Sequence, residues 1–154
     1  MQRRAVVMGT ADQWVQCAKC KKILFKPDFE QAMRVCPACG HHHRLRARER
    51  IALTVDPESF NETDSDLRPA DPLGFPDYAE KLAKGIQSTG ENEALITGTA
   101  RIEGRQVIIG VMDFAFMGGS MSSVVGEKVV RCFERGVEQS LSVVLFCASC
   151  KIGR

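Results

Sequence analysis

The sequence is short of aromatic side chains, with one Trp, one Tyr and eight Phe among 154 residues. Reading bases in single strands needs rings to stack on, and near the densest basic run only Trp14 and Phe25 offer one, so sequence-specific nucleic-acid binding is disfavoured. Long apolar runs are also missing. Ala5-Val6-Val7-Met8, after Arg3 and Arg4, is far too short for a signal peptide, and no later stretch approaches the roughly 20 residues of a membrane span. Secretion and membrane insertion are therefore not expected. Nor does one sign of charge dominate, since 21 Lys and Arg face 19 Asp and Glu for a net +2.

That balance conceals an asymmetry. Residues 1–50 hold 11 Lys and Arg against 4 acids, whereas residues 51–154 hold 10 against 15. A basic leading part can meet nucleic acid, an acidic protein surface or the phosphates of a cofactor. Cysteine is plentiful but odd in number, at seven. An odd count does not fit a disulfide framework, and a reducing compartment, the cytoplasm, is expected.

Four of the seven carry the strongest motif. Cys17-Ala18-Lys19-Cys20 and Cys36-Pro37-Ala38-Cys39 are two C-x2-C pairs separated by fifteen residues, the spacing of a tetrathiolate zinc site. Each pair can form a knuckle whose sulfurs face one centre, and the intervening chain is long enough to fold back. A closed shell of four thiolates leaves no position for water or substrate, so one structural Zn2+ is expected, bound by Cys17, Cys20, Cys36 and Cys39. The two net negative charges of that shell lie close in sequence to Lys19, Lys21, Lys22 and Arg34. A third pair, Cys147 and Cys150, has only Cys132 as a further thiol and is read as accidental.

Along the chain, residues 1–12 show no periodicity and read as a flexible tail, and residues 13–43 as a zinc ribbon with short strands at Ile23-Leu24-Phe25 and Met33-Arg34-Val35. Residues 44–93 form a linker helix and a wrapping segment. In that helix Arg44 aligns with Arg48 and Arg46 with Arg50, giving two basic rows, read first as solvated and second as a footprint for a polyanion. Seven acids and four prolines in residues 56–77 forbid a long regular element. Asp77 is then placed to cap a helix through Tyr78, Leu82 and Ile86 that ends near Gly90.

From residue 94 the pattern turns to sheet. Ala94–Ile102 and Gln106–Phe114 are β-rich runs joined by Glu103-Gly104-Arg105, a hairpin. After Gly118-Gly119-Ser120, the residues Val125, Val129, Cys132, Phe133, Gly136 and Val137 recur at helical spacing as one buried stripe, with Glu127, Lys128, Arg131, Glu134 and Arg135 opposite. Ser142–Cys147 follows as an apolar strand, which makes the unit an α/β layer. Gly118-Gly119-Ser120 entering a helix can form a nest of backbone N–H groups for a phosphate or a polarised carbonyl oxygen, with Ser120 the candidate N-cap.

Taken together, the Cys17-x2-Cys20-x15-Cys36-x2-Cys39 pattern with its His-rich exit, Phe114-Ala115-Phe116-Met117-Gly118-Gly119-Ser120-Met121 and Val124-Val125-Gly126-Glu127-Lys128 closely resemble the β subunit of bacterial and plastid acetyl-CoA carboxylase carboxyltransferase. The resemblance runs from about Trp14 to Ser149 and covers the N-terminal half of that family. It implies a zinc ribbon followed, over residues 94–154, by the first part of a crotonase-like domain. The activity implied is transfer of the carboxyl group from carboxybiotin, on a biotin carboxyl carrier protein, to acetyl-CoA, giving malonyl-CoA for fatty-acid synthesis. The implied partners are a carboxyltransferase α subunit, the carrier protein and an ATP-using biotin carboxylase, with biotin reaching the site only on the carrier.

By the same resemblance Gly118, Gly119 and Ser120 lie in a glycine loop beside the substrate. Two positions depart from the pattern. Ser122 stands where the family usually has glycine, and Cys150-Lys151-Ile152-Gly153-Arg154 replaces the Gly-Gly-Ala-Arg-Met expected to supply oxyanion donors after Ser149. No catalytic residue is therefore assigned, and the chain alone is expected to be inactive. The alternative expectation is a non-catalytic basic zinc-ribbon module that binds nucleic acid or a partner protein.

Overall fold

A computed structural model describes residues 13–149. The expected tail at 1–12, and Cys150 of the third cysteine pair, lie outside that range. The chain divides into two compact units, with the boundary between Leu45 and Arg46.

In the first unit β1 (Trp14–Gln16) pairs antiparallel with β2 (Ile23–Phe25), placing Trp14 opposite Phe25. A short helix, α1 (Lys26–Gln31), begins directly after β2, with Pro27 in its first turn where a missing N–H is harmless. Phe29 is its buried residue. The strand expected at Met33-Arg34-Val35 is absent. Met33 and Arg34 are left-handed, at φ 52° and 57°, and only Val35 bridges to His42. The break has a local cause, since the amides of Ala32, Met33 and Arg34 are drawn into the end of α1 by the carbonyls of Asp28, Glu30 and Phe29.

The second unit is a four-stranded sheet covered on both faces. Its strands are β3 (Asn61–Thr63), β4 (Leu95–Ile102), β5 (Arg105–Met112) and β6 (Ser142–Phe146), in that spatial order. The first three are antiparallel, and β6 runs parallel to β5 after the crossover helix α4 (Ser123–Gln139). The β4–β5 hairpin closes through Glu103 and Gly104, both with positive φ (50° and 75°), which matches the right-handed twist of paired strands. Asp56 fastens that turn, its carboxylate accepting the N–H groups of Glu103 (2.9 Å) and Gly104 (2.8 Å).

Side chains alternate across the sheet as the pleat requires. On one face Ile96, Ala100, Val107, Ile109 and Val111 pack with Ala47 and Ile51 of α2 (Ala47–Thr54). On the other, Leu95, Met112 and Phe116 pack with Val125 of α4 and with Leu82 and Ile86 of α3 (Tyr78–Thr89). Burying each aliphatic side chain contributes about 1.5–3 kcal/mol, so the two cores account for the order of this unit.

Several details differ from the sequence reading. The acidic, proline-rich stretch contains β3, an edge strand whose follower Asp64 holds Arg131 (2.8 Å) and Arg135 of α4. Asp77 does not cap α3 with its side chain; its backbone turns left-handed at φ 62°. In α4 Phe133 and Val137 are exposed, at 52% and 82%, while Lys128 is buried at 3% and donates from Nζ to the Leu95 carbonyl at 2.8 Å. The buried stripe of α4 thus runs through Val124, Val125, Lys128, Cys132 and Gly136.

Candidate functional site

The four ribbon cysteines come together. All four sulfurs lie within 4.8 Å of one another, with Cys17 to Cys39 at 3.8 Å and Cys20 to Cys36 at 3.7 Å. A regular zinc tetrathiolate with Zn–S of about 2.3 Å has edges of roughly 3.8 Å, so the donor set fits the ion in type and in spacing.

The two knuckles are built alike. Cys17 N–H donates to the Lys22 carbonyl and Lys21 N–H returns to the Cys17 carbonyl; Cys36 N–H donates to His41 and Gly40 N–H returns to Cys36. In each, the residue four past the first cysteine is left-handed, Lys21 at φ 62° and Gly40 at 65°. Two copies of one turn facing each other bring four sulfurs to one point.

Two of the four thiols are pulled in opposite directions. The Cys20 backbone N–H is the largest influence on the Cys17 thiol, which is held down at about 5, with burial opposing and His43 and the Lys19 N–H assisting. Cys39 also receives a backbone N–H, from His41, but burial and the neighbouring sulfurs outweigh it and push its thiol up to about 11. One sulfur ionises readily and the next resists, because burial and the neighbouring sulfurs disfavour a second charge. A divalent cation removes that conflict.

In the second unit the glycine loop follows β5. Gly118 and Gly119 both have φ of 69°, and Gly119 N–H closes a turn on the Phe116 carbonyl at 2.8 Å. A Cβ at Gly119 would stand 1.9 Å from the Ala148 carbonyl oxygen, so only glycine lets this loop meet the residues just after β6. The expected nest of Gly118-Gly119-Ser120 at the start of α4 is not formed. Ser120 is exposed, the helix begins three residues later, and Ser122 is the cap, its Oγ accepting from Val124 (3.1 Å) and Val125 (3.3 Å) and donating to Glu93 (2.5 Å).

Asp113 anchors the start of the loop. It is 1% exposed; one carboxylate oxygen accepts Ala115 N–H (2.8 Å), and the other accepts Arg46 Nε (2.7 Å) and Ala47 N–H (3.3 Å). Sequence reading passed over Asp113 because its partner lies 67 residues away. The arginines are paired as well as solvated, Arg44 and Arg48 being exposed. Arg48 binds Glu91 with two nitrogens (2.6 and 2.7 Å) and Glu62 with the third (3.0 Å), and Arg50 lies over the Phe146 ring at 5.5 Å.

Residues 41–150 match the family model described as "Carboxyl transferase domain", and residues 14–39 that described as "Acetyl-CoA carboxylase zinc finger domain". The chain belongs to the carboxyl transferase family. Within this family it is 48% identical over 139 residues to the acetyl-coenzyme A carboxylase carboxyl transferase subunit beta of Gloeobacter violaceus, covering 88% of this chain and 46% of that one. The protein of the same name from Desulforamulus reducens is 47% identical over 136 residues, with coverage of 88% and 47%. The chain therefore spans about half the length of the curated relatives it matches.

Among solved carboxyl transferase structures, the transcarboxylase 12S hexamer with methylmalonyl-coenzyme A and methylmalonic acid bound is similar at a TM-score of 0.58 and 28% identity, over 69% of this chain and 19% of that one. The β subunit of Pseudomonas aeruginosa geranyl-CoA carboxylase is similar at 0.52 and 25%, over 80% and 19%. The mixed α/β sheet and the four-cysteine ribbon expected from sequence agree with this family, and one structural zinc is its resident metal. Among the described residues no helix is long and apolar enough to cross a membrane.

Proposed function

We propose that this chain forms the ribbon and first part of a carboxyltransferase β subunit, which with an α subunit moves the carboxyl group of carboxybiotin onto acetyl-CoA to give malonyl-CoA. The observation that carries the reading beyond family membership is the approach of Gly119 to the Ala148 carbonyl, which ties the glycine loop to the end of β6. A carboxyl acceptor of this kind reacts as a thioester enolate, whose oxygen needs preorganised N–H donors at a fixed place. In this reading Gly118, Gly119 and Ser120 shape the wall beside that place, and Asp113 and Ser122 hold the two ends of the loop. Cys17, Cys20, Cys36 and Cys39 hold zinc, whose closed shell supplies structure only. Biotin arrives on its carrier protein, charged by a biotin carboxylase.

Activity then belongs to the assembly. The 154-residue chain assayed alone is expected to form no malonyl-CoA, and mixed with a carboxyltransferase α subunit it is expected to co-elute with it. Malonyl-CoA formed by the isolated chain, or failure to associate with the α subunit under any zinc-replete condition, counts against the proposal.

One observation favours a second reading, a binding module. Trp14 and Phe25 are 53% and 37% exposed with ring centroids 5.3 Å apart, and Lys19, Lys21, Lys22 and Lys26 are exposed nearby in sequence. Such a face can stack bases under a basic rim. The commitments of Arg46, Arg48 and Arg50 within the second unit argue against an arginine footprint. Salt-dependent RNA binding abolished by Trp14→Ala would support this reading, and no binding at low salt would end it.

A further inference from the structure

Both ends of the glycine loop are fastened to one dipeptide. At its start Asp113 N–H donates to the Ala94 carbonyl at 2.6 Å, and at its end the Ser122 hydroxyl donates to the Glu93 carboxylate at 2.5 Å. The other Glu93 oxygen accepts the Ala94 N–H at 2.7 Å, so the carboxylate is tied to the same backbone unit that receives Asp113. Glu93 is 3% exposed and Ala94 fully buried, and a carboxylate is kept in such a place only where donors meet it. Ser122 Oγ is at the same time the cap of α4, accepting from Val124 (3.1 Å) and Val125 (3.3 Å). A hydroxyl has one proton and two lone pairs, and all three are taken, which fixes the group in one orientation.

We propose that Glu93 is a positioning residue for the glycine loop: through Ser122 and Ala94 it sets how far apart the loop's two ends stand, and with that the place of Gly118 and Gly119. The turns inside the loop, Phe116 N–H on the Asp113 carbonyl (3.1 Å) and Gly119 N–H on the Phe116 carbonyl (2.8 Å), give it shape. The Glu93-Ala94 anchor fixes where it leaves the sheet and where it enters α4. Glycine, the residue the family resemblance sets at position 122, has no hydroxyl to give, so the latch belongs to this chain's Ser122. Its bearing on carboxyl transfer rests on the carboxyltransferase reading above; the latch itself does not.

The test is backbone 15N relaxation with amide shifts on the full zinc-loaded chain, a readout of the folded state that a loss of stability alone does not move. In the parent, Gly118 and Gly119 are expected in the rigid range, with order parameters of about 0.85. In Glu93→Ala they are expected to fall toward the flexible range, below about 0.6, with their amide peaks displaced while that of Ile109, in the middle of β5, stays in place. Glu93→Gln keeps one acceptor oxygen and should recover part of the order. Parental order and shifts at Gly118 and Gly119 in Glu93→Ala, or a change of the same size at Ile109, overturns the proposal. Should Glu93→Ala fail to fold, Ser122→Gly, which removes one hydroxyl from a half-buried site, decides by the same readout. Loosening of the loop in a chain that never associates with a carboxyltransferase α subunit upholds the latch and defeats the carboxyltransferase reading.

Discussion

Replacing Gly119 by alanine is expected to destabilise the second unit by about 2–5 kcal/mol, a figure composed of a backbone cost and a packing cost. A residue with a Cβ held near φ 69° costs about 1–2 kcal/mol. The added carbon would also stand 1.9 Å from the Ala148 carbonyl oxygen, a main-chain atom that cannot swing aside, and relieving such overpacking typically costs roughly a further 1–3 kcal/mol. Gly104 is the control. Its φ is 75°, but a Cβ there meets nothing within 4 Å, so Gly104→Ala should cost only the backbone term, about 1–2 kcal/mol. The assay is denaturant unfolding of the full zinc-loaded chain followed by far-ultraviolet circular dichroism, comparing midpoints at constant slope. If Gly119→Ala loses no more than Gly104→Ala, the loop is not pressed against Ala148 and its place beside the end of β6 is refuted.

Three other outcomes follow from the same contacts. Arg131 and Arg135 hold the Asp64 carboxyl well below the usual carboxylate range, Arg135 most strongly, so its contribution is complete above about pH 4 and drains away as pH falls further. Asp64→Asn should cost about 2 kcal/mol at neutral pH, since the carboxylate is buried but both arginines are partly solvated, and should flatten the acid limb of a stability–pH curve. Burial pulls the Lys128 ammonium below its ordinary value, so the unfolded chain binds more protons in the alkaline range and stability should rise with pH there; Lys128→Met should abolish that rise in urea titrations carried from neutral pH up to the ordinary lysine value of about 10.5. Removing zinc with a strong chelator should unfold the ribbon while leaving the sheet's circular dichroism largely intact, because the two units have separate cores.

What could be read from sequence was set by local rules. The cysteine cluster was legible because ligand spacing and knuckle geometry are properties of a few consecutive residues. The hairpin was legible because β4 and β5 are β-rich and a glycine sits between them. Helix α4 was legible in extent, but its buried face was not. Hydrophobicity favoured Phe133 and Val137, whereas the sheet offers Lys128 a carbonyl acceptor at Leu95 that no pattern in α4 can announce. The same limit explains the arginines of α2. Arg48 is solvent-exposed as read, but its pairing with Glu91, 43 residues on, could not be seen. At the glycine loop the local geometry differs from the expected nest. Gly119 is required by a close approach to Ala148, and the helix cap is Ser122, the position where the resemblance marked a departure.

At the head of the chain, the fold of the ribbon and the role assigned to it both depend on a metal enclosed by sulfur alone. Zinc K-edge X-ray absorption of the purified protein, with metal content measured on the same sample, tests this directly. One zinc per chain with four sulfur neighbours at about 2.3 Å is the expected result. A substoichiometric metal, or a nitrogen or oxygen atom in place of one of the four sulfurs, would contradict it.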